Sequence, residues 1–127
     1  MVRLLLAVQP QLLAPLLQAI HRVITGFLVK RAGFKLSRAD TGAVTLIQRF
    51  GSAANLNIHL HCLVLDGVYL KRDGAAFFHE AAAPTVEELE ALLAKIITRT
   101  MRILTRRGLS SKNRTRPTSP KRIPMAR

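Results

Sequence analysis

Apolar side chains near the N-terminus recur at the spacing of a helix. Between residues 11 and 30 they fall three or four positions apart, while the polar residues lie elsewhere on the helical wheel. Proline is tolerated only in the first turn of a helix, so the regular helix is predicted to begin close to Pro15. Residues 30–41 follow as a basic connector, with Gly33 and Gly42 marking breaks.

From Gly42 the pattern changes to that of β-strands. Residues 43–50 and 56–65 are rich in β-branched and other apolar residues, and the pair Asp66-Gly67 is a turn signal after the second segment. Two shorter segments, 68–70 and 75–79, flank another turn at residues 71–74 and predict a hairpin. The predicted fold class is therefore α+β, an antiparallel sheet of three or four strands flanked by two helices.

The start of the second helix is signalled at Thr85. Glu88 follows three residues later, which is the spacing of a capping box, and cations followed by glycine at residues 106–108 end the helix. The apolar positions expected to face the core are Val86, Leu89, Leu93, Ile96, Ile97 and Leu104. Beyond Leu109 almost nothing is available to bury, so residues 1–109 are predicted to form the domain and residues 110–127 a disordered basic tail.

Charge narrows the choice of partner. The chain has 20 Lys and Arg against 7 Asp and Glu, a net charge of +13 and a pI near 11.6, which favours a polyanion: nucleic acid or an anionic membrane surface. No apolar run approaches the roughly 20 residues of a membrane span, so neither a span nor a signal peptide is predicted. The single cysteine, Cys62, excludes an intrachain disulfide and suits a reducing cytoplasm.

The second helix carries a stripe of cations on the face opposite its apolar positions. The stripe follows helical spacing and consists of Lys95, Arg99, Arg102 and Arg106. Such a stripe is usually a solvated surface, but no acidic residue follows Glu90 to neutralise it, and a surface that tracks phosphates is an equal alternative.

Two histidines in the second strand are candidate metal ligands. His59 and His61 are two residues apart, so their side chains point to the same face, while Cys62 points to the other and is expected to be a small buried residue. Gln48, on the neighbouring strand, is a candidate third ligand or holder of a metal-bound water. On spacing alone, an ordinary polar strand face is the more frequent meaning of such a pair.

The block around these histidines resembles a known family. It is similar to the two-tyrosine, rolling-circle insertion-sequence transposases of the HUH endonuclease superfamily, through the segments Gly42-Ala-Val-Thr-Leu-Ile-Gln-Arg-Phe-Gly51, Asn55-Leu-Asn-Ile-His-Leu-His61 and Leu63-Val-Leu-Asp-Gly-Val-Tyr69. Leu104-Thr-Arg-Arg-Gly-Leu109 is a further similar segment, and the resemblance spans most of residues 2–109.

The resemblance implies a palm-like sheet and a metal-dependent reaction on single-stranded DNA. In such a site His59, His61 and Gln48 hold a divalent cation, Mg or Mn with Zn as the alternative, which polarises the scissile phosphate for attack by a tyrosine hydroxyl. Single-stranded DNA is the implied partner, bound by Arg49 and the cationic stripe, with no membrane or small-molecule partner. A bacterial cytoplasm is the implied location.

Two departures from the family pattern affect the expected activity. The family's nucleophilic tyrosine lies on a helix well downstream of the histidines, and a cysteine-rich zinc module precedes its catalytic domain; neither is found in this sequence. The chain is therefore expected to be truncated at both ends, with a palm-like sheet that is incomplete, no catalytic tyrosine, and a tail that fits translation in a shifted frame. Tyr69, the only tyrosine, follows a turn inside the family's motif and is expected to be structural.

The sequence supports three functional hypotheses. The first is a transposase fragment that retains binding of metal and single-stranded DNA without cleavage. The second is a non-catalytic basic nucleic-acid-binding protein or an inert pseudogene product. A membrane-surface peptide comes third, favoured by the charge and opposed by the strand block.

Overall fold

The computed structural model describes residues 2–51 and 56–107, without the side chains of residues 2–4 and 56. Within these ranges the chain forms three α-helices and five β-strands, so the α+β class with antiparallel pairing is confirmed. The elements in chain order are α1 Val2–Val8, a 3₁₀ turn Pro10–Leu12, α2 Leu13–Arg31, β1 Ala39–Asp40, β2 Ala43–Phe50, β3 Leu56–Val64, β4 Gly67–Arg72, β5 Ala75–Glu80 and α3 Val86–Arg106.

The described strands divide between two sheets instead of forming the single sheet expected from the sequence. Strands β2 and β3 make a two-stranded antiparallel hairpin, and β1, β4 and β5 make a second antiparallel sheet in the order β1-β4-β5. The chain changes sheet between β3 and β4, where Leu65 N–H donates to Gly42 and Ala81 N–H donates to Asp66. Positive φ at Asp73 and Gly74 gives the tight turn between β4 and β5 its hairpin geometry.

Helix α2 contributes to two hydrophobic clusters. Its N-terminal half packs with α1, β3 and the end of α3 in a cluster formed by Leu6, Leu12, Leu13, Leu16, Ile58 and Leu104. Its C-terminal half packs on the β1-β4-β5 sheet through Leu28, Val29, Ala39, Val68 and Ala81. Helix α2 therefore contributes residues to both clusters, while α1 is the helix that contacts β3 most extensively.

The segment Pro10–Arg31 also reaches the length and hydropathy of a membrane span. It has 22 residues, and an 18-residue window within it has a mean hydropathy of 1.6. The expectation that no stretch approaches this length was therefore wrong, because Pro15 and Gln18 interrupt the apolar run without lowering the mean of that window enough. A core helix of a soluble protein and a signal sequence near the N-terminus pass the same test, and 22% of this window is buried in the structure.

The start of α3 confirms the predicted capping box. The Thr85 hydroxyl accepts from the Glu88 N–H at 3.2 Å, and the Glu88 carboxylate accepts from the Thr85 N–H at 2.8 Å. Arg31 at the end of α2 fixes this start in place: it forms an ion pair with Glu88 and donates to the carbonyls of Ala82 and Ala83.

Two of the six α3 positions predicted to face the core, Ile96 and Leu104, are partly or fully buried, and the other four are not. Val86, Leu89, Leu93 and Ile97 were expected to be core residues and are exposed, and so is Met101. The helix packs against α2. Between residues 92 and 104, its partly or fully buried residues are Leu92, Ile96, Thr100, Ile103 and Leu104. The apolar arc of α3 is wider than the side that α2 covers, so one half of that arc is buried and the other half faces solvent.

Candidate metal centre

The β2–β3 hairpin brings the three predicted ligands to one face. In the antiparallel register Gln48 lies opposite His59, and Leu46 lies opposite His61. Because side chains alternate along a strand, Gln48, His59 and His61 all project from the same side of the hairpin. Gln48 and His61 are exposed and His59 is half-buried, so a cation in solution has access to the group.

The geometry of this group is close to that of a metal site without matching it. The His59 and His61 ring centroids are 6.3 Å apart. With metal–nitrogen distances of 2.0–2.1 Å, two imidazoles on one tetrahedral metal would place their centroids about 5 Å apart, so the rings must approach by about 1 Å. A side-chain rotation of this size is ordinary on an exposed strand face.

Gln48 already interacts with one of the histidines. Its Oε1 lies 3.0 Å from His61 Nε2, and its Nε2 donates to the Phe50 carbonyl at 3.1 Å. Because the amide oxygen accepts, Nε2 of His61 carries the proton in this arrangement. To bind a metal, His61 must therefore use Nδ1 or give up this contact and its proton.

The donor set is two imidazoles and one amide oxygen. Within residues 2–51 and 56–107, no cluster of three or more His, Cys, Asp or Glu side chains could hold a metal ion. A cation here would consequently keep its full charge and fill its remaining positions with water or a substrate oxygen. These residues fit a divalent cation that acts on an anionic substrate, and they leave coordination positions open for it.

The opposite face of the hairpin joins it to α2. Thr45 Oγ1 lies 2.7 Å from His21 Nε2 and 3.2 Å from Cys62 Sγ. Cys62 is on the face predicted for it, but it is exposed, so its expected burial was wrong. The hairpin has only two strands, and the helices cover this face fully at Ile58 and not along its whole length.

Tyr69 lies apart from the histidines, in the other sheet. It is on β4, where its ring packs against Phe78 with 5.2 Å between centroids. Tyr69 is 41% exposed, and its structural role stays a prediction.

The predicted DNA-binding residues do not join the histidines in one site. Arg49 is exposed on β2, between Gln48 and Phe50, where the register of the β2–β3 pair shifts. The α3 cations Lys95, Arg99 and Arg102 line a groove of about 1080 Å³ between α3 and α2, and Arg106 lines a smaller adjoining hollow. The sequence analysis placed this stripe opposite the core side of α3; the structure places it beside the side that contacts α2.

The second wall of that groove was missed. Arg22 and Lys30 of α2 face the α3 cations, with Gly26 between them. Arg22 and Lys30 are eight residues apart, which is two steps of four along one side of a helix. This spacing was a signal in the sequence, but it gained meaning only once α3 was known to pack there.

The described chain is thus an α+β domain with a histidine-bearing hairpin, whose histidine face also exposes Val44, Leu46 and Leu63, and with a cationic groove between α2 and α3. The family model described as "Putative transposase" matches residues 42–123, about two thirds of the chain. The chain therefore belongs to this transposase family, and its function is transposase-related. No curated protein and no solved structure shows significant similarity to it.

The limits of the match differ from those of the resemblance noted in the sequence. It begins at Gly42, just before β2, and so contains the histidine hairpin and α3 but not α2. It also continues past Leu109, where the change in composition suggested an end to the resemblance. The predicted disorder of residues 110–127 lies outside the described residues.

Proposed function

We propose that this chain is an HUH-type member of the transposase family, which binds single-stranded DNA and positions one of its phosphates beside a divalent cation held by His59, His61 and Gln48. The observation that carries the proposal is the convergence of these three side chains on one accessible hairpin face, with Gln48 Oε1 3.0 Å from His61 Nε2. Family membership supplies the link to DNA, and the net charge of +13 supplies the attraction to it.

The residues of the hairpin have distinct parts in this proposal. The bound cation, Mg or Mn with Zn as the alternative, would supply Lewis-acid polarisation of the phosphate. His59 and His61 fix the position of that charge from one strand, and Gln48 orients His61 through its amide oxygen. Arg49 and the α3 cations attract the strand electrostatically, which requires no base sequence.

We propose further that this chain binds without cutting. The family's reaction needs a tyrosine oxygen close to the metal, and Tyr69, the only tyrosine in the sequence, lies on β4 in the other sheet. The second candidate function, a non-catalytic nucleic-acid-binding protein, is favoured by the cationic groove, which is complete without any contribution from the histidines.

Calorimetric titration with Mn or Zn tests the metal part of the proposal. The wild-type chain is expected to bind one cation, and the double variant His59→Ala/His61→Ala is expected to lose that binding. His79→Ala is the matched control, because His79 is also an exposed strand histidine but lies in the other sheet, against Phe34. Equal binding by the wild type and the His59/His61 variant, or no binding by either, contradicts the proposed site.

A further inference from the structure

The groove between α2 and α3 has two cationic walls that face each other. Arg22 and Lys30 project from α2, and Lys95, Arg99 and Arg102 project from α3. The groove continues past Arg102 into a hollow of about 380 Å³ that adds Arg106. From Lys95 to Arg106 the cations extend for about 16 Å along the helix axis.

These cations have no carboxylate partners in the described part of the chain. The ion pairs found there, within 4 Å, are Arg31–Glu88 and Lys71–Asp40. Arg31 lies at one end of the groove and is already committed to Glu88 and to two backbone carbonyls. The remaining positive charges repel one another across the groove, and an anion bound between the walls would relieve that repulsion.

Apolar side chains also line the groove. They are Val23 and Phe27 of α2, Leu36 of the connector and Leu92 of α3. A small inorganic anion uses the cations but not these apolar side chains. A single nucleic-acid strand uses both, because its phosphates are spaced along a chain and its unstacked bases present flat apolar faces. A duplex keeps those faces inside the stack.

We propose that this groove is a binding track for single-stranded nucleic acid, in which Arg22 and Lys30 contact the backbone from one side and Lys95, Arg99 and Arg102 from the other. The inference rests on the proposed function, since the ligand is the same strand. It adds a second wall, contributed by α2, and a location away from the histidines.

The position of the groove makes its binding independent of the metal. His21 of α2 contacts the hairpin through Thr45, whereas Arg22, the next residue, turns about 100° around the helix and faces α3. The strand is therefore held on a side of α2 that the histidines do not occupy. Chelating agents should leave this binding intact.

Fluorescence polarisation with a labelled oligothymidylate, in the presence of EDTA and over a series of salt concentrations, tests the groove. For single strands each neutralised phosphate contributes about 0.7 to the slope of log K against log salt, so Arg22→Gln/Lys30→Gln should reduce the slope by about 1.4. The matched control is Arg38→Gln/Arg72→Gln, which removes the same charge from two exposed residues that belong to neither ion pair and do not line the groove, and which should reduce the slope far less. Residues 108–127 carry the same charges in every variant.

Four results would overturn the proposal that single-stranded nucleic acid binds in this groove. Equal losses in the two double variants would mean attraction by net charge alone. An unchanged slope in Arg22→Gln/Lys30→Gln, together with a reduced slope in Lys95→Gln/Arg99→Gln/Arg102→Gln, would place the strand on α3 without the α2 wall. Polyglutamate that binds as tightly, with the same dependence on Arg22 and Lys30, would make the groove a site for acidic protein segments. Binding abolished by EDTA would assign the strand to the histidine face.

The proposed function fails separately. Absence of any binding to the oligothymidylate at low salt removes the DNA partner, and with it the groove. If the wild-type chain binds no metal but the salt slope still falls in Arg22→Gln/Lys30→Gln, the proposed histidine site is contradicted and the groove remains supported.

Discussion

The orientation of α3 can be tested by making the same substitution at two positions of the helix. Leu104 is 3% exposed and belongs to the cluster shared with α1, α2 and β3, whereas Leu93 is 56% exposed. Truncating a buried leucine to alanine destabilises a protein by about 2 to 5 kcal/mol, since both transfer energy and packing are lost. Leu104→Ala is therefore expected to lower the free energy of unfolding by that amount, a large part of the stability of a small domain.

Leu93→Ala should lower it by less than about 1 kcal/mol, because less than half of the side chain is removed from water and alanine is the better helix former. Propensity and unfolded-state effects are shared by the two variants, so the difference between them, at least about 1 kcal/mol, reports burial alone. Urea unfolding followed by circular dichroism measures it. If Leu93→Ala proves as destabilising as Leu104→Ala, the apolar arc of α3 is buried on the predicted side, and the groove geometry is wrong.

Two further outcomes are expected. Hydrogen bonding from the Thr85 N–H, and then the charge of Arg31, lower the pKa of Glu88 from its ordinary value of 4.5; a carboxylate with a lowered folded-state pKa stabilises above its unfolded pKa and loses that contribution as pH falls through the folded one. The urea midpoint of the wild type should thus be higher than that of Glu88→Gln at neutral pH, and the two midpoints should converge in acid. A difference that stays constant with pH would contradict the stabilising role of the contacts of Glu88 with Thr85 and Arg31. Incubation of the chain with single-stranded oligonucleotides and Mn should leave no covalent adduct on a denaturing gel, and an adduct lost in Tyr69→Phe would make Tyr69 a nucleophile.

The elements that the sequence predicted well are those with a strong local signal. Strand β2 has the predicted bounds, β3 ends one residue early, and α3 begins after the predicted cap at Thr85. The alternation of side chains along a strand and the capping of a helix depend on neighbouring residues alone, so both can be predicted without tertiary structure. Helix α1, with 7 residues, and β1, with 2, were not predicted, because elements this short are stabilised by their packing partners.

The same distinction between local and tertiary signals applies to the candidate functional residues. That His59 and His61 share a face follows from strand period, and the position of Gln48 opposite His59 follows from the hairpin register. The groove could not be predicted from local sequence patterns. The sequence identified the cations of α3 and its apolar arc, but the rotation of α3 about its own axis is set by contacts with α2, far away in the chain. A rotation of one residue position, about 100°, decides whether Lys95 faces solvent or faces Arg22.

The boundary of the family match separates the two helices that form the groove. The match, residues 42–123, contains the histidine hairpin and the α3 wall of the groove, while Arg22 and Lys30 lie outside it on α2. The same helix supports the hairpin through His21 and forms the other wall of the groove one residue later. Helix α2 therefore contributes to both proposed sites: His21 contacts the hairpin that carries the metal ligands, and Arg22 and Lys30 line the groove. The cations of α3 alone form an exposed stripe of ordinary appearance; it is α2 that turns them into one side of a track.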